Sequence, residues 1–313
     1  MADEKGEETK FMRIVVVGEG MIELSRADGD GWRLGHGGDT LNTAIHLARM
    51  GRDVRYVTAL GDDPFSATLR HDWAAEGIDT SLILADPTRM PGLYAITTDE
   101  AGERSFAYWR GQSAARRTLS LEGSDAVVAE AGQADLLLFS LITLAILEPE
   151  GRERLLDLAR DVRASGGRVA FDGNYRPRLF ADQQQARDIC RAGIAVCDIG
   201  LPTLEDELML EGTASAEAVQ ARWRDLGAAE VVVKLGAEGC LLEGAGVVPP
   251  PKRLSPRDTS GAGDAFNAGY LAARLDGLSP AEAAVHGHRL AGWTVMRAGA
   301  IPPRDAAMPF QAP

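Results

Sequence analysis

The feature that most constrains the fold is a series of short apolar segments, each followed by a helical pattern. A strand that is apolar on both faces fits a parallel sheet covered by helices on each side. Such segments lie at residues 13–18, 54–61, 134–140, 168–174, 197–203 and 230–236. Their strand–helix–strand order predicts an α/β fold built on a doubly wound, mostly parallel sheet.

Two of the helical segments, at residues 148–167 and 279–299, carry recognisable end signals. The first finishes in a Gly-Gly pair, where a left-handed C-terminal cap is expected. The second begins with Ser279 at the N-cap, Pro280 at the first helical position and Glu282 three residues after the serine. That spacing is typical of a capping box and fixes where the helix begins.

Residues 21–36 and 90–112 interrupt the alternation of strands and helices. Polar and apolar residues alternate along the second segment, and residues 99–103 have the composition of a hairpin turn. We therefore predict a single domain over residues 1–313 that carries a small antiparallel sheet, assembled from the two segments. Such an insertion often acts as a lid that excludes water, although a surface hairpin without a function is the alternative.

Charge and composition exclude several classes of function. A net charge of −13 argues against a nucleic-acid partner, and no apolar stretch reaches the roughly 18 residues that a membrane span needs. The acidic residues 1–10 do not resemble a secretory signal and are predicted to form a frayed tail. Cys190, Cys197 and Cys240 have no metal-ligand spacing, so we expect reduced thiols and a cytoplasmic location.

The segment RDTSGAGDAFNAGY at residues 257–270 joins a run of small residues to a helix. Backbone amides at such a helix N-terminus can stabilise a developing negative charge. Asp264 lies beside them, where its carboxylate could accept the proton of an attacking hydroxyl during phosphoryl transfer. A plain helix cap is the alternative for Asp264. The small residues are Ser260, Gly261, Ala262 and Gly263.

A second glycine-rich segment, GGDTLN, begins at Gly37 and leads into another helical pattern. Glycine lets the backbone approach a ligand closely, and short polar side chains offer donors and acceptors to several hydroxyls. The segment is therefore a candidate binding element for a ligand with several hydroxyl groups. Asp39 within it could instead be a plain N-cap.

The alternating segment FAYWR places Phe106, Tyr108 and Arg110 on one face of a strand, and we expect Tyr94 to join that face. Aromatic rings beside a guanidinium suit a small polar acid. Arg176 follows another strand at its carboxyl end, where open α/β sheets bind ligands. Two arginines directed at one site indicate an acidic sugar, whereas solvated arginines are the alternative.

The strand at residues 230–236 ends in Lys234 and is followed by two glycines, Gly236 and Gly239. Glycines at a strand end permit close approach of a nucleotide, and the lysine would offer positive charge to a phosphate. A lysine that is merely solvated is the alternative for this position.

Both glycine-rich segments resemble signatures of the ribokinase-like (PfkB-type) carbohydrate kinases. DTSGAGDAFNAGYL is similar to the C-terminal signature and GGDTLNTAIHLARMG to the N-terminal one, and the resemblance covers nearly the whole chain. Within that family, the branch that acts on 2-keto-3-deoxygluconate is the most similar. The segments that indicate it are GEGMIELS, MPGLYAI, GERSFAYWR, DGNYRPRLF and VVVKLGAEG.

The resemblance implies a ribokinase-like fold and a phosphoryl transfer from ATP, with Mg²⁺, that yields 2-keto-3-deoxy-6-phosphogluconate. It implies that Asp264 is the base and that the turn Gly261, Ala262 and Gly263 stabilises the phosphoryl group. The predicted substrate-binding residues are Gly38, Asp39, Thr40, Leu41, Asn42, Tyr94, Tyr108, Trp109, Arg110, Arg176 and Asp264. The predicted nucleotide-binding residues are Asn174, Tyr175, Arg176, Lys234, Gly236, Gly239, Ser260, Gly261 and Gly263.

One segment departs from the family pattern. Thr203 and Asp206 stand where many relatives have Asn and Glu, so a metal contact through water by Asp206 or Glu205 is only a weak expectation. A monovalent cation such as K⁺ and a homo-oligomer formed through the lid are further expectations. The alternatives for function are a kinase of a neutral sugar such as fructose and a catalytically silent sugar or nucleotide sensor.

Overall fold

The computed structural model describes residues 12–26, 31–98, 104–212 and 215–312. The predicted N-terminal tail and the predicted turn at 99–103 lie outside the described residues. The strands are β1 (Arg13–Val17), β2 (Met21–Arg26), β3 (Trp32–Gly37), β4 (Asp53–Leu60), β5 (Ile83–Ala85), β6 (Leu93–Thr98), β7 (Arg104–Trp109), β8 (Leu136–Ser140), β9 (Arg168–Asp172), β10 (Ile199–Gly200), β11 (Glu230–Lys234), β12 (Cys240–Leu242) and β13 (Gly246–Val248).

Helices alternate with these strands along the chain. The α-helices are α1 (Asp39–Arg49), α2 (Pro64–Ala75), α3 (Ser124–Ala131), α4 (Leu141–Ile146), α5 (Pro149–Ala164), α6 (Gln183–Ala195), α7 (Leu204–Glu211), α8 (Ala216–Asp225), α9 (Ala262–Leu275) and α10 (Pro280–Val295). Short 3-10 turns occur at Ala114–Ser120, Pro177–Leu179 and Gly236–Glu238. Among the described residues, no helix combines the length and the apolar character needed to cross a membrane.

The large sheet confirms the predicted α/β fold. Its strand order is β13-β12-β11-β10-β9-β8-β1-β4-β5, and the strands from β11 to β5 pair in parallel. Each of the segments predicted as strands lies in it, although the one predicted at 197–203 is reduced to Ile199–Gly200. The carboxyl ends of these parallel strands meet along one edge of the sheet, where α/β proteins bind ligands.

Strand β1 shows why the apolar segments had to be apolar on both faces. Ile14 and Val16 point into one buried cluster, together with helices α1, α9 and α10, whereas Val15 and Val17 point into the other, together with α5, α6 and α8. Side chains alternate along a strand, so a sheet covered by helices on both sides needs an apolar residue at every position.

The helix-end signals are confirmed. Helix α5 ends at Ala164, and Gly166 just beyond it has a φ of 89°, which favours glycine. At α10 the Ser279 hydroxyl accepts a hydrogen bond from the Glu282 amide, while the Glu282 carboxylate accepts one from the Ser279 amide. The capping box therefore forms as its spacing predicts.

The predicted small sheet has the strand order β3-β2-β6-β7. Strands β2 and β3 form one antiparallel pair and β6 and β7 form another, but β2 and β6 pair in parallel. The predicted small antiparallel sheet is therefore confirmed as two antiparallel hairpins, which are joined by a parallel pair of strands at its centre. The Ile22 amide donates to the Gly92 carbonyl at 2.9 Å, so both hairpins leave the core at the same point and in the same direction.

Trp223 fills a space that only glycines leave open. The ring stacks on Phe171 with a centroid separation of 5.7 Å, and its Nε1 donates to the Glu207 carboxylate at 2.9 Å. A Cβ atom placed on Gly200 or Gly173 would lie 2.4 Å or 2.9 Å from the ring. The indole thus packs directly on the backbone of the sheet.

We expect Gly200→Ala to lower the free energy of unfolding by about 1–3 kcal/mol, because the added methyl group overpacks a site with no free volume. Urea denaturation measures the effect. Gly111→Ala is the matched control, since a Cβ there would meet no atom within 4 Å. Equal stabilities of the two variants would contradict this account of the packing.

Candidate active site

Asp264 lies in the first turn of α9, close to the carboxyl edge of the large sheet, and is 9% exposed. The residue at the N-cap, Gly261, has a φ of 69°, and a Cβ atom there would lie 2.6 Å from the Ala300 side chain. Only glycine fits this turn. The first amides of a helix have no partners within it, so the turn brings backbone N–H groups close to a carboxylate; of these, the Ala262 amide donates to the Thr259 carbonyl at 3.3 Å.

The two glycine-rich segments, distant in sequence, meet at Asp264. Asn42 of α1 donates a hydrogen bond of 2.7 Å from its Nδ2 to Asp264 Oδ2, and the Thr43 hydroxyl donates to the Asp264 carbonyl at 3.3 Å. The predicted sugar-binding helix is therefore bonded directly to the predicted base.

The surroundings of Asp264 favour its protonated form. Burial, with a smaller contribution from the nearby negative charge of Asp39, raises the pKa of this carboxyl from 3.8 to about 8. The hydrogen bond from Asn42 acts in the opposite direction on the pKa. A carboxyl with such a pKa can both hold and release a proton near neutral pH.

Asp39 is the first residue of α1 and not its N-cap, which is Gly38, so the plain-cap alternative is wrong. Asn174 donates to the Asp39 carboxylate at 3.3 Å, and burial raises the pKa of Asp39. The side chains of Thr40 and Leu41 turn away from the site: the threonine hydroxyl lies 3.0 Å from the Tyr56 hydroxyl, and the leucine is fully buried. The predicted substrate contacts of these two residues stay predictions.

Lys234 lies in a closed network of buried polar groups and is 8% exposed, so the solvated alternative is wrong. Its Nζ donates to Asp172 Oδ1 at 2.9 Å and to Asn267 Oδ1 at 3.2 Å, while Asn267 Nδ2 donates to Asp172 Oδ2 at 2.9 Å. The amine lies 3.7 Å from the position that a Cβ of Gly263 would occupy. Its positive charge is therefore held beneath the small-residue turn.

Tyr94, Phe106 and Tyr108 share one face of the small sheet, as their spacing predicts. Their ring centroids are 5.9–6.5 Å apart, and the Tyr94 hydroxyl donates to the Glu23 carboxylate at 2.5 Å. Trp109 lies on the opposite face and is 62% exposed, because successive residues of a strand alternate. The structure does not bring Trp109 to the site.

Each of the two predicted substrate arginines already has an acidic partner. Arg110 forms an ion pair with the buried Glu19. Arg176 contacts Asp206 at 3.3 Å and also donates to the Tyr175 carbonyl at 2.6 Å. Neither guanidinium is an unopposed positive charge.

The loop at residues 174–176 contacts Asp206, one of the two metal candidates. Asp206 accepts from the Tyr175 amide at 3.3 Å, and its carboxylate contacts Arg176, while Glu205 is exposed. The Tyr175 ring is buried against Phe180, with 5.7 Å between ring centroids; the nucleotide and metal roles of these residues stay predictions. Among the described residues, no group of three or more His, Cys, Asp or Glu side chains could hold a metal ion.

The remaining nucleotide-side residues have different roles in the structure. Gly236 borders open space, since a Cβ there would meet no atom within 4 Å. Gly239 is required by the neighbouring strand, because its Cβ would lie 2.2 Å from the Val248 carbonyl oxygen. The Ser260 amide donates to the Asp258 carboxylate at 3.0 Å.

Sequence reasoning missed four polar residues that contact or surround the site. Asp172 ends β9 within FDGN, and Asn267 follows Asp264 by one helical turn, so strand ends and the i+3 spacing were available signals. Glu19 and Glu23 lie within a largely apolar segment, GEGMIEL. A carboxylate among apolar residues is itself a signal, because its burial requires a partner.

The comparisons with known proteins agree with this geometry. The family described as pfkB family carbohydrate kinase matches residues 12–307. The chain is 46% identical over 304 residues to 2-dehydro-3-deoxygluconokinase of Escherichia coli (strain K12), which covers 94% of this chain and 98% of that protein.

Two solved structures are similar over almost their full length. The PfkB protein from Polaromonas sp. JS666 is 32% identical, with a TM-score of 0.79, over 92% of this chain and 95% of that one. Aminoimidazole riboside kinase from Salmonella enterica, complexed with aminoimidazole riboside and an ATP analog, is 25% identical with a TM-score of 0.79, over 95% and 97% of the two chains. The matched residues include Asp264, the small-residue turn before it and helix α1. The chain therefore belongs to the pfkB family of carbohydrate kinases.

Proposed function

We propose that this protein is an ATP-dependent kinase that phosphorylates 2-keto-3-deoxygluconate to 2-keto-3-deoxy-6-phosphogluconate. The observation that carries the proposal is the buried carboxylate of Asp264, at the start of α9. This carboxylate accepts a hydrogen bond from Asn42 of α1. Similar proteins 37–46% identical to this chain bear the name 2-dehydro-3-deoxygluconokinase, and their likeness supports the choice of substrate.

Asp264 is the proposed general base. In its ionised form, the carboxylate accepts the proton of the sugar hydroxyl as that oxygen attacks the γ-phosphorus of ATP. The hydrogen bond from Asn42 keeps one carboxylate oxygen in place, and the first-turn amides of α9 stabilise the charge on the phosphoryl oxygens. Lys234 contributes positive charge from below the turn.

ATP is expected to bind beside Gly236 and the small-residue turn. A Cβ atom on Gly236 would meet no atom within 4 Å, and Gly261 and Gly263 bear no side chain that would block a phosphate. No protein-only metal cage is present among the described acidic residues, which suits Mg²⁺ held by phosphates and water. Bound in that way, Mg²⁺ would neutralise part of the phosphate charge; a monovalent cation remains a prediction.

The sugar side is lined by the aromatic face of the small sheet. Tyr94 and Tyr108 would pack against the carbon atoms of the substrate, and Arg110 would meet its carboxylate. We propose that this sheet closes over the sugar as a lid, because water in an open site would compete for the phosphoryl group.

The three buried free cysteines are compatible with the predicted cytoplasmic location, which stays a proposal.

Asp264→Asn should lower kcat by about 10²–10⁴-fold, because the amide cannot accept the proton, while ATP binding is retained. A coupled assay of ADP release measures the first effect and a nucleotide titration the second. A variant that keeps more than about a tenth of the wild-type kcat would remove the base assignment. The same ADP-release assay tests the alternative of a catalytically silent sensor, because in that case the wild type would release no ADP.

The same variant should melt at a higher temperature than the wild type, increasingly so between about pH 5 and about pH 8. A folded-state pKa of about 8, above the usual 3.8, means that wild-type stability falls as pH rises through this window. The amide that replaces the carboxyl in Asp264→Asn does not titrate. Asp157→Asn, at an exposed position, is the control, and a constant difference in melting temperature would contradict the buried charge.

One observation favours a neutral-sugar kinase as the second candidate: both site arginines are already paired with acidic residues. Turnover of 2-keto-3-deoxygluconate and fructose at equal concentrations separates the two functions. For the acid substrate, Arg110→Ala should raise KM by at least about tenfold with a smaller change in kcat. Arg160→Ala, at an exposed position, is the control. An unchanged KM in Arg110→Ala would argue against carboxylate recognition.

The other face of the small sheet supports the predicted homo-oligomer. Trp32, Leu34 and Trp109 are exposed there by 47%, 50% and 62%, and β3 and β7 are edge strands. We propose that a second copy of this chain covers this face. Light scattering should then give twice the 33.4 kDa chain mass for the wild type and a smaller mass for Leu34→Glu; a monomeric wild type would contradict the interface.

A further inference from the structure

Glu19 and Arg110 form an ion pair that joins the large sheet to the small one. Glu19 lies just after β1 and is 2% exposed, while Arg110 directly follows β7. The contact runs from Arg110 Nη2 to Glu19 Oε2. Among the described residues, neither Glu19 oxygen has a hydrogen-bond partner of good geometry, and Arg110 Nε also lacks one.

Two glycines leave the space in which this pair lies. A Cβ atom on Gly38, the N-cap of α1, would lie 2.2 Å from the Glu19 carbonyl oxygen. A Cβ atom on Gly92, at the root of the small sheet, would lie 2.7 Å from Glu19 Oε1 and 3.2 Å from Arg110 Cβ. The pair is therefore enclosed between the sugar-binding segment and the base of the small sheet.

A buried ion pair of this kind is poor evidence for stability, since desolvation offsets most of its Coulombic attraction. What it does provide is a fixed orientation. Glu19 holds the guanidinium at Nη2, and the Tyr108 ring lies 6.0 Å from its central carbon. The planar guanidinium has further N–H donors that can bind a carboxylate in a defined direction.

We propose that Glu19 is a positioning residue that holds the Arg110 guanidinium at the sugar pocket, so that its remaining donors meet the substrate carboxylate. The inference rests on the proposed function and adds a residue to it. Glu19 acts only through Arg110, and its carboxylate contacts neither the phosphoryl group nor the attacking hydroxyl. Selectivity for an acid over a neutral sugar then depends on a lid-to-core ion pair and not on an unopposed arginine.

The test compares Glu19→Ala with Glu19→Gln. Without the carboxylate, the guanidinium loses its anchor, so Glu19→Ala should raise KM for 2-keto-3-deoxygluconate by at least about tenfold, with KM for ATP within about twofold. Glu19→Gln keeps an oxygen that can accept from Nη2 and should restore KM to within about threefold of the wild type. Combining Glu19→Ala with Arg110→Ala should cost no more than Arg110→Ala alone.

Glu211→Ala is the matched control, because it removes a partly buried Glu–Arg contact of 3.2 Å to Arg222, which joins α7 to α8 and involves no residue of the small sheet. It should leave KM for the acid unchanged. An unchanged or lowered KM in Glu19→Ala, or additive effects in the double variant, would overturn the proposal.

Failure of the proposed function is recognised separately, by a wild type that does not phosphorylate the acid. In that case amide hydrogen exchange still tests the ion pair without substrate. Residues 105–112 should exchange faster in Glu19→Ala than in the wild type and in Glu211→Ala, and equal exchange would overturn the anchoring role.

Discussion

The hydrogen bond between Asn42 and Asp264 is the contact on which the rest of the site depends. It joins the first turns of two helices that are 222 residues apart in sequence. Each helix begins at a glycine that no other residue could replace, because a Cβ atom on Gly38 or Gly261 would collide with neighbouring atoms. The parallel sheet brings both helix N-termini to one edge, and the bond then sets the proposed base against the proposed sugar-binding segment.

The site concentrates negative charge in a buried place. Asp39, Asp172 and Asp264 influence one another, and burial raises the pKa of the first and the third. Of these three, only Asp172 is bonded to a buried cation, Lys234, and it also accepts a hydrogen bond from the neutral amide of Asn267. The remaining charge destabilises the folded chain at high pH, which is the usual consequence of keeping a reactive carboxyl out of water.

Charge matching also governs the sugar side. The sequence predicts two arginines directed at one site, and in the structure Arg110 and Arg176 are each paired with a carboxylate, that of Glu19 and that of Asp206. In the proposed function, an acidic chain with a net charge of −13 would recognise an anion through oriented donors, since its site has little excess positive charge. The direction of the guanidinium donors depends on packing at the root of the small sheet. In the proposed function, this direction takes the place of the simple charge attraction that the number of arginines suggests.

The sequence by itself determined secondary-structure elements and the carboxyl group at the centre of the site. Apolar runs predicted the strands of the large sheet, and the capping box predicted where α10 begins. The small-residue turn indicated Asp264. These signals are local, because side-chain periodicity and helix capping involve residues a few positions apart. Only the tertiary structure decided that Lys234 binds Asp172, that Arg110 binds Glu19, that β2 pairs with β6 in parallel, and that Trp109 faces away from the site. Such partners are chosen by the packing of distant segments, which no local pattern encodes.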